Sequence, residues 1–158
     1  MIGRYRNGAI PSVGDETDLE RSVREAAERS IEGVREGLDR YDPQRALDSL
    51  WLLVTRANRY VEESAPWSLA REARNGDDAA NRRLDTALAT LAESLRVISI
   101  LLEPFLPHTS RRIREQLGLP EGPAGWETHL SWGQLPAGTQ VSKPEPIFPR
   151  LEESVAAG

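Results

Sequence analysis

At 158 residues the chain has one domain's length, enough to bury a hydrophobic core without covalent staples, and with no cysteine it has no disulfide framework, thiolate zinc site or cysteine nucleophile. Its formal net charge of −5, with Lys143 and nineteen Arg against 25 acidic residues, argues against a protein that grips nucleic acid by charge alone. No apolar run approaches the roughly 20 residues of a membrane span, and the N-terminus lacks the layout of a signal peptide, so the expectation is a soluble cytoplasmic domain with no membrane partner.

In chain order, Met1 to Arg6 precedes an Asn7-Gly8 turn signal and Pro11, and a helix this short is marginal alone. Thr17 and Glu20 then have the spacing of a capping box, and Leu19, Val23, Ala27, Ile31, Val34, Leu38 and Tyr41 keep a helical stripe, which predicts a helix over about 16–40. Asp42-Pro43 restarts the chain, with Asp as N-cap and Pro at the first helical position. Over residues 43–64, Leu47, Leu50, Val54, Ala57 and Val61 repeat at spacings of three and four and form the expected buried stripe. Trp51, Thr55, Asn58 and Glu62 share an adjacent face, polar apart from one large aromatic.

Pro66 disfavours the α conformation at Ala65 and removes a donor, so the chain turns into a short helix over 66–75, closed by Asn75-Gly76. Asp77 or Asp78 caps the next helix, where Leu84, Leu88, Leu91, Leu95, Ile98 and Leu102 make it the most hydrophobic element and the expected centre of the fold. It ends at Glu103-Pro104. A last helix over about 107–117 turns Ile113 and Leu117 inward, with Gly118 placed for a left-handed cap. Six prolines and four glycines between 120 and 149 then mark an irregular arm, pinned by Trp126 and Trp132, with Ile147-Phe148 as a final short strand or anchor and Glu152 to Gly158 as a frayed end. The expected fold is all-α: a helical bundle over 1–119 with a Pro/Gly-rich C-terminal arm over 120–158 packed on it.

Charge divides unevenly along this plan. Residues 1–42 carry seven basic and ten acidic side chains, residues 43–119 eleven and ten, and residues 120–158 two and five. An anionic partner would therefore meet the middle segment. Catalytic signatures are missing: His108 and His129 sit in no metal-ligand spacing, and there is no Gly-rich phosphate loop, Gly-x-Ser-x-Gly elbow or spaced His/carboxylate cluster. No catalytic residue and no metal is expected in this chain.

Trp67 is the better lead. At a corner between two helices, beyond a polar face containing Asn58, it is placed either to stack on an unpaired RNA base or to fill the crevice under Pro66. Residues 57–70, reading Ala-Asn-Arg-Tyr-Val-Glu-Glu-Ser-Ala-Pro-Trp-Ser-Leu-Ala, closely resemble the anticodon-binding helical domain of methionyl-tRNA synthetase, a class I enzyme. Two further stretches resemble it in the right order: residues 95–119, which include Glu-Pro-Phe-Leu-Pro-His-Thr-Ser, and the closing Pro-Glu-Pro-Ile-Phe-Pro-Arg-Leu-Glu of residues 144–152. The resemblance implies a helical bundle of that class and a methionine-accepting tRNA as partner. It makes Trp67 the stacking platform for the anticodon. Asn58 and Glu62 either line the same pocket or hold the backbone of the corner, and Arg59 either reaches a phosphate or is merely solvated.

Met1 to Gly8 looks like the second half of that family's first helix, so the upstream half, with the family's base-reading Asn and Arg, is expected to be absent. The His-x-Gly-His and Lys-Met-Ser-Lys-Ser signatures of the catalytic domain are also missing, so the cofactor expectation is none here, with ATP and methionine bound by a catalytic domain outside this chain. The alternatives are a free-standing helical interaction module, derived from the synthetase and docking on a synthetase core, and a helical remnant without a ligand.

Overall fold

The computed structural model describes residues 1–120 and 129–148, and it is helical: α1 (Ile2–Tyr5), α2 (Asp18–Asp39), α3 (Pro43–Ser64), α4 (Pro66–Arg74), α5 (Asp78–Leu102) and α6 (Pro107–Gln116). Among the described residues there is no strand, only an isolated antiparallel bridge between Ala9 and Gln140. The Thr17–Glu20 capping box opens α2, Asp42 caps α3 by accepting from the Arg45 N–H at 3.0 Å, and Asp77 caps α5 by accepting from the Ala80 N–H at 3.0 Å.

α2 and α3 form a closely packed hairpin. A Cβ placed on Gly37 would lie 2.7 Å from the Ala46 nitrogen, so the glycine is what lets the two backbones approach. The turn between them corrects the sequence reading of Tyr41, which does not continue the α2 stripe. It sits just past the helix end with φ 56° and is 94% exposed, while Tyr41 N–H donates to Leu38 O at 3.0 Å and Asp42 N–H to Gly37 O at 2.8 Å. That pattern is a Schellman cap with tyrosine in the left-handed position usually held by glycine.

The buried face of α3 is also rotated from the expected one. Ala46, Leu50, Leu53, Tyr60 and Ser64 are buried, whereas Leu47, Val54, Ala57 and Val61 are only half-buried. The sequence pattern weighted the aliphatic residues and passed over Tyr60, whose phenol has a buried partner described below. α5 runs through the centre, against α2, α3, α4 and α6, with residues such as Leu84, Leu88, Val97 and Leu101 buried. Its Leu95, expected inward, is exposed.

The described part of the arm is held largely through its backbone. Glu93, buried on α5, accepts from the N–H groups of Gly133, Gln134 and Leu135 at 2.7, 3.2 and 3.1 Å, and it pairs with Arg96 through contacts of 2.6 and 2.9 Å. Arg96 in turn donates to the carbonyls of His129 and of Ser131, the latter at 2.7 Å. Arg112 donates to Ile147 O and Pro146 O, each at 3.0 Å. Leu130 enters the main core with Trp132 packed partly buried beside it, and Trp126 lies outside the described residues, as does the segment from Glu152 to Gly158. Ile147 packs against the cluster formed by Ile10, Ala92, Ile113 and Leu117, but Phe148 is exposed and forms no strand. At the end of α6, Gly118 has φ 72° and a Cβ there would lie 1.9 Å from Gln140 O, so only glycine lets the arm pass.

Candidate nucleic-acid interface

The corner between α3 and α4 is made by one residue. A proline disfavours the right-handed helical conformation at the residue before it, and Ala65 adopts the left-handed one instead, with φ 40° and ψ 60°. In an L-residue other than glycine this costs roughly 1–2 kcal/mol. Ala65 ends one helix and begins the next: its N–H donates to Val61 O at 3.1 Å, and its carbonyl accepts from Ser68 N–H at 2.8 Å and Leu69 N–H at 3.3 Å. Ser64 Oγ, buried, donates to Tyr60 O at 2.6 Å.

Pro66 is among the most fully buried side chains of the fold, while Trp67 is 53% exposed. The crevice under the corner is therefore filled by the proline, and the indole stands in solvent. Trp51, Thr55, Asn58 and Glu62 are all exposed along one face of α3, with Trp51 57% open. Asn58 and Glu62 thus share a single solvent-facing stripe that leads toward the corner.

Arg59 is differently placed. Its side chain is 75% exposed, but Nε pairs with Glu63 Oε1 at 2.7 Å. The other Glu63 oxygen meets Arg56 Nη1 at 3.0 Å. Burial alone would raise the Glu63 carboxyl, but the hydrogen bond from Arg59 and the charges of Arg56 and Arg59 outweigh it and hold the group below its ordinary value. Arg56 also donates to Ser22 Oγ at 2.8 Å and lies 5.9 Å from the Tyr60 ring centre, linking α3 to α2.

Beneath this face, Tyr60 Oη donates to Glu20 Oε1 at 2.5 Å, and Thr17 N–H donates to the other Glu20 oxygen at 2.8 Å. Burial pushes the Tyr60 phenol up and the adjoining Glu20 carboxylate adds to it. For Glu20, burial acts to raise the carboxyl, and the hydrogen bonds from Thr17 and Tyr60 reverse that and lower it. The start of α2 is thereby locked to α3 one turn before the corner. Among the described residues no cluster of three or more His, Cys, Asp or Glu side chains is arranged to hold a metal ion.

Sequence reasoning passed over two features here. Leu52 is exposed beside Trp51, and Arg71 and Arg74 follow Trp67 on the outer face of α4. The spacing of four and seven residues from Trp67 carried that second signal.

Comparison with known proteins assigns the chain to the anticodon-binding domains of tRNA ligases. Residues 10–157 match the family described as the anticodon binding domain of methionyl tRNA ligase, and the chain belongs to that family. It is 38% identical over 152 residues to the methionine–tRNA ligase of Caldanaerobacter subterraneus subsp. tengcongensis, covering 96% of this chain and 23% of that protein. It is 40% identical over 158 residues to the methionine–tRNA ligase of Lactococcus lactis subsp. lactis, covering 99% and 23%. The crystal structure of the apo form of Mycobacterium tuberculosis methionyl-tRNA synthetase matches with a TM-score of 0.87 at 26% identity, over 96% of this chain and 30% of that one. The chain thus spans about a quarter of the length of these relatives.

Proposed function

We propose that this domain binds the anticodon of methionine-accepting tRNA and positions that tRNA for aminoacylation by a synthetase catalytic domain, in the cytoplasm. ATP and methionine then belong to the catalytic domain, and the residues of this chain supply recognition. The observation that carries the reading is the exposed Trp67, set by a rigid, proline-filled corner at the end of the open Asn58–Glu62 stripe. A base stacks on the indole, and the Asn58 amide and Glu62 carboxylate offer donor and acceptor groups to base edges. Arg59 reaches a phosphate only by giving up part of its contact with Glu63.

Base–aromatic stacking is worth about 1–3 kcal/mol, so Trp67→Ala is expected to weaken tRNA binding by roughly 5- to 150-fold, with Trp67→Phe recovering part of the loss. Gel-shift titration measures this, and equal affinities for wild type and Trp67→Ala would remove the stacking role. A second reading, a module that docks on a synthetase core without engaging tRNA, draws on the exposed neighbours Trp51 and Leu52. Co-purification with such a core, abolished by Trp51→Ala and accompanied by no tRNA shift, would favour it.

A further inference from the structure

α4 continues past Trp67 with Arg71 and Arg74, and the steps of four and seven residues put all three on one exposed face. At 1.5 Å of rise per residue the two arginines stand about 6 and 10 Å from Trp67 along the axis. Arg71 is partly occupied, since its Nη2 meets Ser68 Oγ at 3.4 Å and Ser68 donates to Glu72 at 3.3 Å. Arg74 donates only Nε, to Ala70 O at 3.1 Å, and its terminal nitrogens have no partner among the described residues.

Beside Arg74 opens a groove of about 240 Å³ between α1, α4 and α5, whose polar lining is Arg4, Tyr5, Arg6, Arg74 and Asn81, with no carboxylate. Arg6 is already committed: it pairs with Asp85, donates to Tyr5 O at 2.8 Å and donates to Asn81 Oδ1 at 2.7 Å. With its Oδ1 taken, Asn81 has its amide nitrogen left to donate. Arg4 lies 5.6 Å from the Tyr5 ring centre and has no acceptor among the described residues. The Arg4 guanidinium, the terminal nitrogens of Arg74 and an amide donor, at a groove whose lining has no carboxylate, form a site for an oxyanion, and the guanidinium fork matches phosphate geometry.

We propose that Arg74 and Arg4, with Arg71 at the rim, bind phosphodiester groups of the RNA strand whose base rests on Trp67. The proposal rests on the anticodon-platform reading of Trp67 and extends it. A stacking platform followed by an arginine track is the arrangement that holds single-stranded RNA. It also gives a domain of net charge −5 a local patch of positive charge at which to meet a polyanion.

The test is the salt dependence of methionine tRNA binding, measured for the wild-type chain and for Arg74→Gln, Arg4→Gln, Trp67→Ala and Arg111→Gln, the last an exposed arginine on α6. Each phosphate contact contributes about 0.7–0.9 to the slope of log affinity against log salt. Arg74→Gln and Arg4→Gln are expected to lower the slope by about that amount each. They should weaken tRNAs with native and scrambled anticodons equally, while Arg111→Gln changes nothing. Trp67→Ala should lower affinity at unchanged slope. Wild-type slopes in both groove variants, with binding still lost in Trp67→Ala, would overturn the groove and leave the platform standing. Lowered slopes in the groove variants, with Trp67→Ala binding normally, would support the groove and overturn the platform. Absence of any wild-type binding would overturn both.

Discussion

Ala65 decides where Trp67 goes. The sequence showed that Pro66 must turn the chain, but a turn at proline leaves open which side chain lies beneath it. The answer depends on an alanine entering the left-handed region, for which residue preference carries no signal. Tyr41 is the second instance, and it is simpler because the side chain is almost wholly in water. Replacing it by glycine removes the left-handed strain and loses no packing. Tyr41→Gly is therefore expected to raise stability by about 1 kcal/mol, read as a higher urea midpoint at unchanged m-value. A lower midpoint would mean that the phenol makes a contact that its exposure hides.

At the scale of elements, helix positions and caps were legible because spacing and cap chemistry announce them: Thr17 with Glu20, Asp42 before Pro43, and Pro66 at the head of α4. The buried face of α3 was less legible. Tyr60 faces inward because Glu20 accepts its hydrogen bond, and Glu20 itself reads in sequence only as half of a capping box. Tyr60→Phe should cost roughly 1.5–3 kcal/mol, the worth of a hydrogen bond to a charged acceptor, in thermal or denaturant unfolding.

The same pair sets a pH dependence. The Glu20 carboxyl is lowered by folding, so its contribution is present above the unfolded value near about 4.3 and is lost as pH falls through the folded value. The Tyr60 phenol is raised, so its contribution is complete below about pH 10 and is lost as pH rises through the folded value. Stability from this pair is thus expected to be flat between those limits, and Tyr60→Phe should flatten the alkaline limb. An unaltered alkaline limb would contradict the assignment.

For the whole molecule, composition disclosed the irregular arm but not what fastens it. Aromatic anchors were the visible candidates, and Trp132 is one. The larger share falls to Glu93, Arg96 and Arg112, which bond main-chain groups of the arm, and a main-chain partner leaves no trace in side-chain pattern. Glu93→Gln strips the charge from a buried ion pair and leaves Arg96 uncompensated. A loss of about 3–5 kcal/mol is expected, with faster proteolysis near residues 129–135 as the local readout. Wild-type stability in that variant would show that water reaches the pair.

The same scale frames the central claim, that the outward corner of this bundle reads an anticodon. Trp51 and Trp67 are exposed to similar extents, 57% and 53%, so they serve as internal controls for each other. The decisive measurement is the affinity of the methionine tRNA anticodon stem–loop for wild type, Trp67→Ala and Trp51→Ala at one fixed salt concentration. Trp67→Ala should weaken binding at least about fivefold while Trp51→Ala stays near wild type. Equal affinities for wild type and Trp67→Ala would contradict the account.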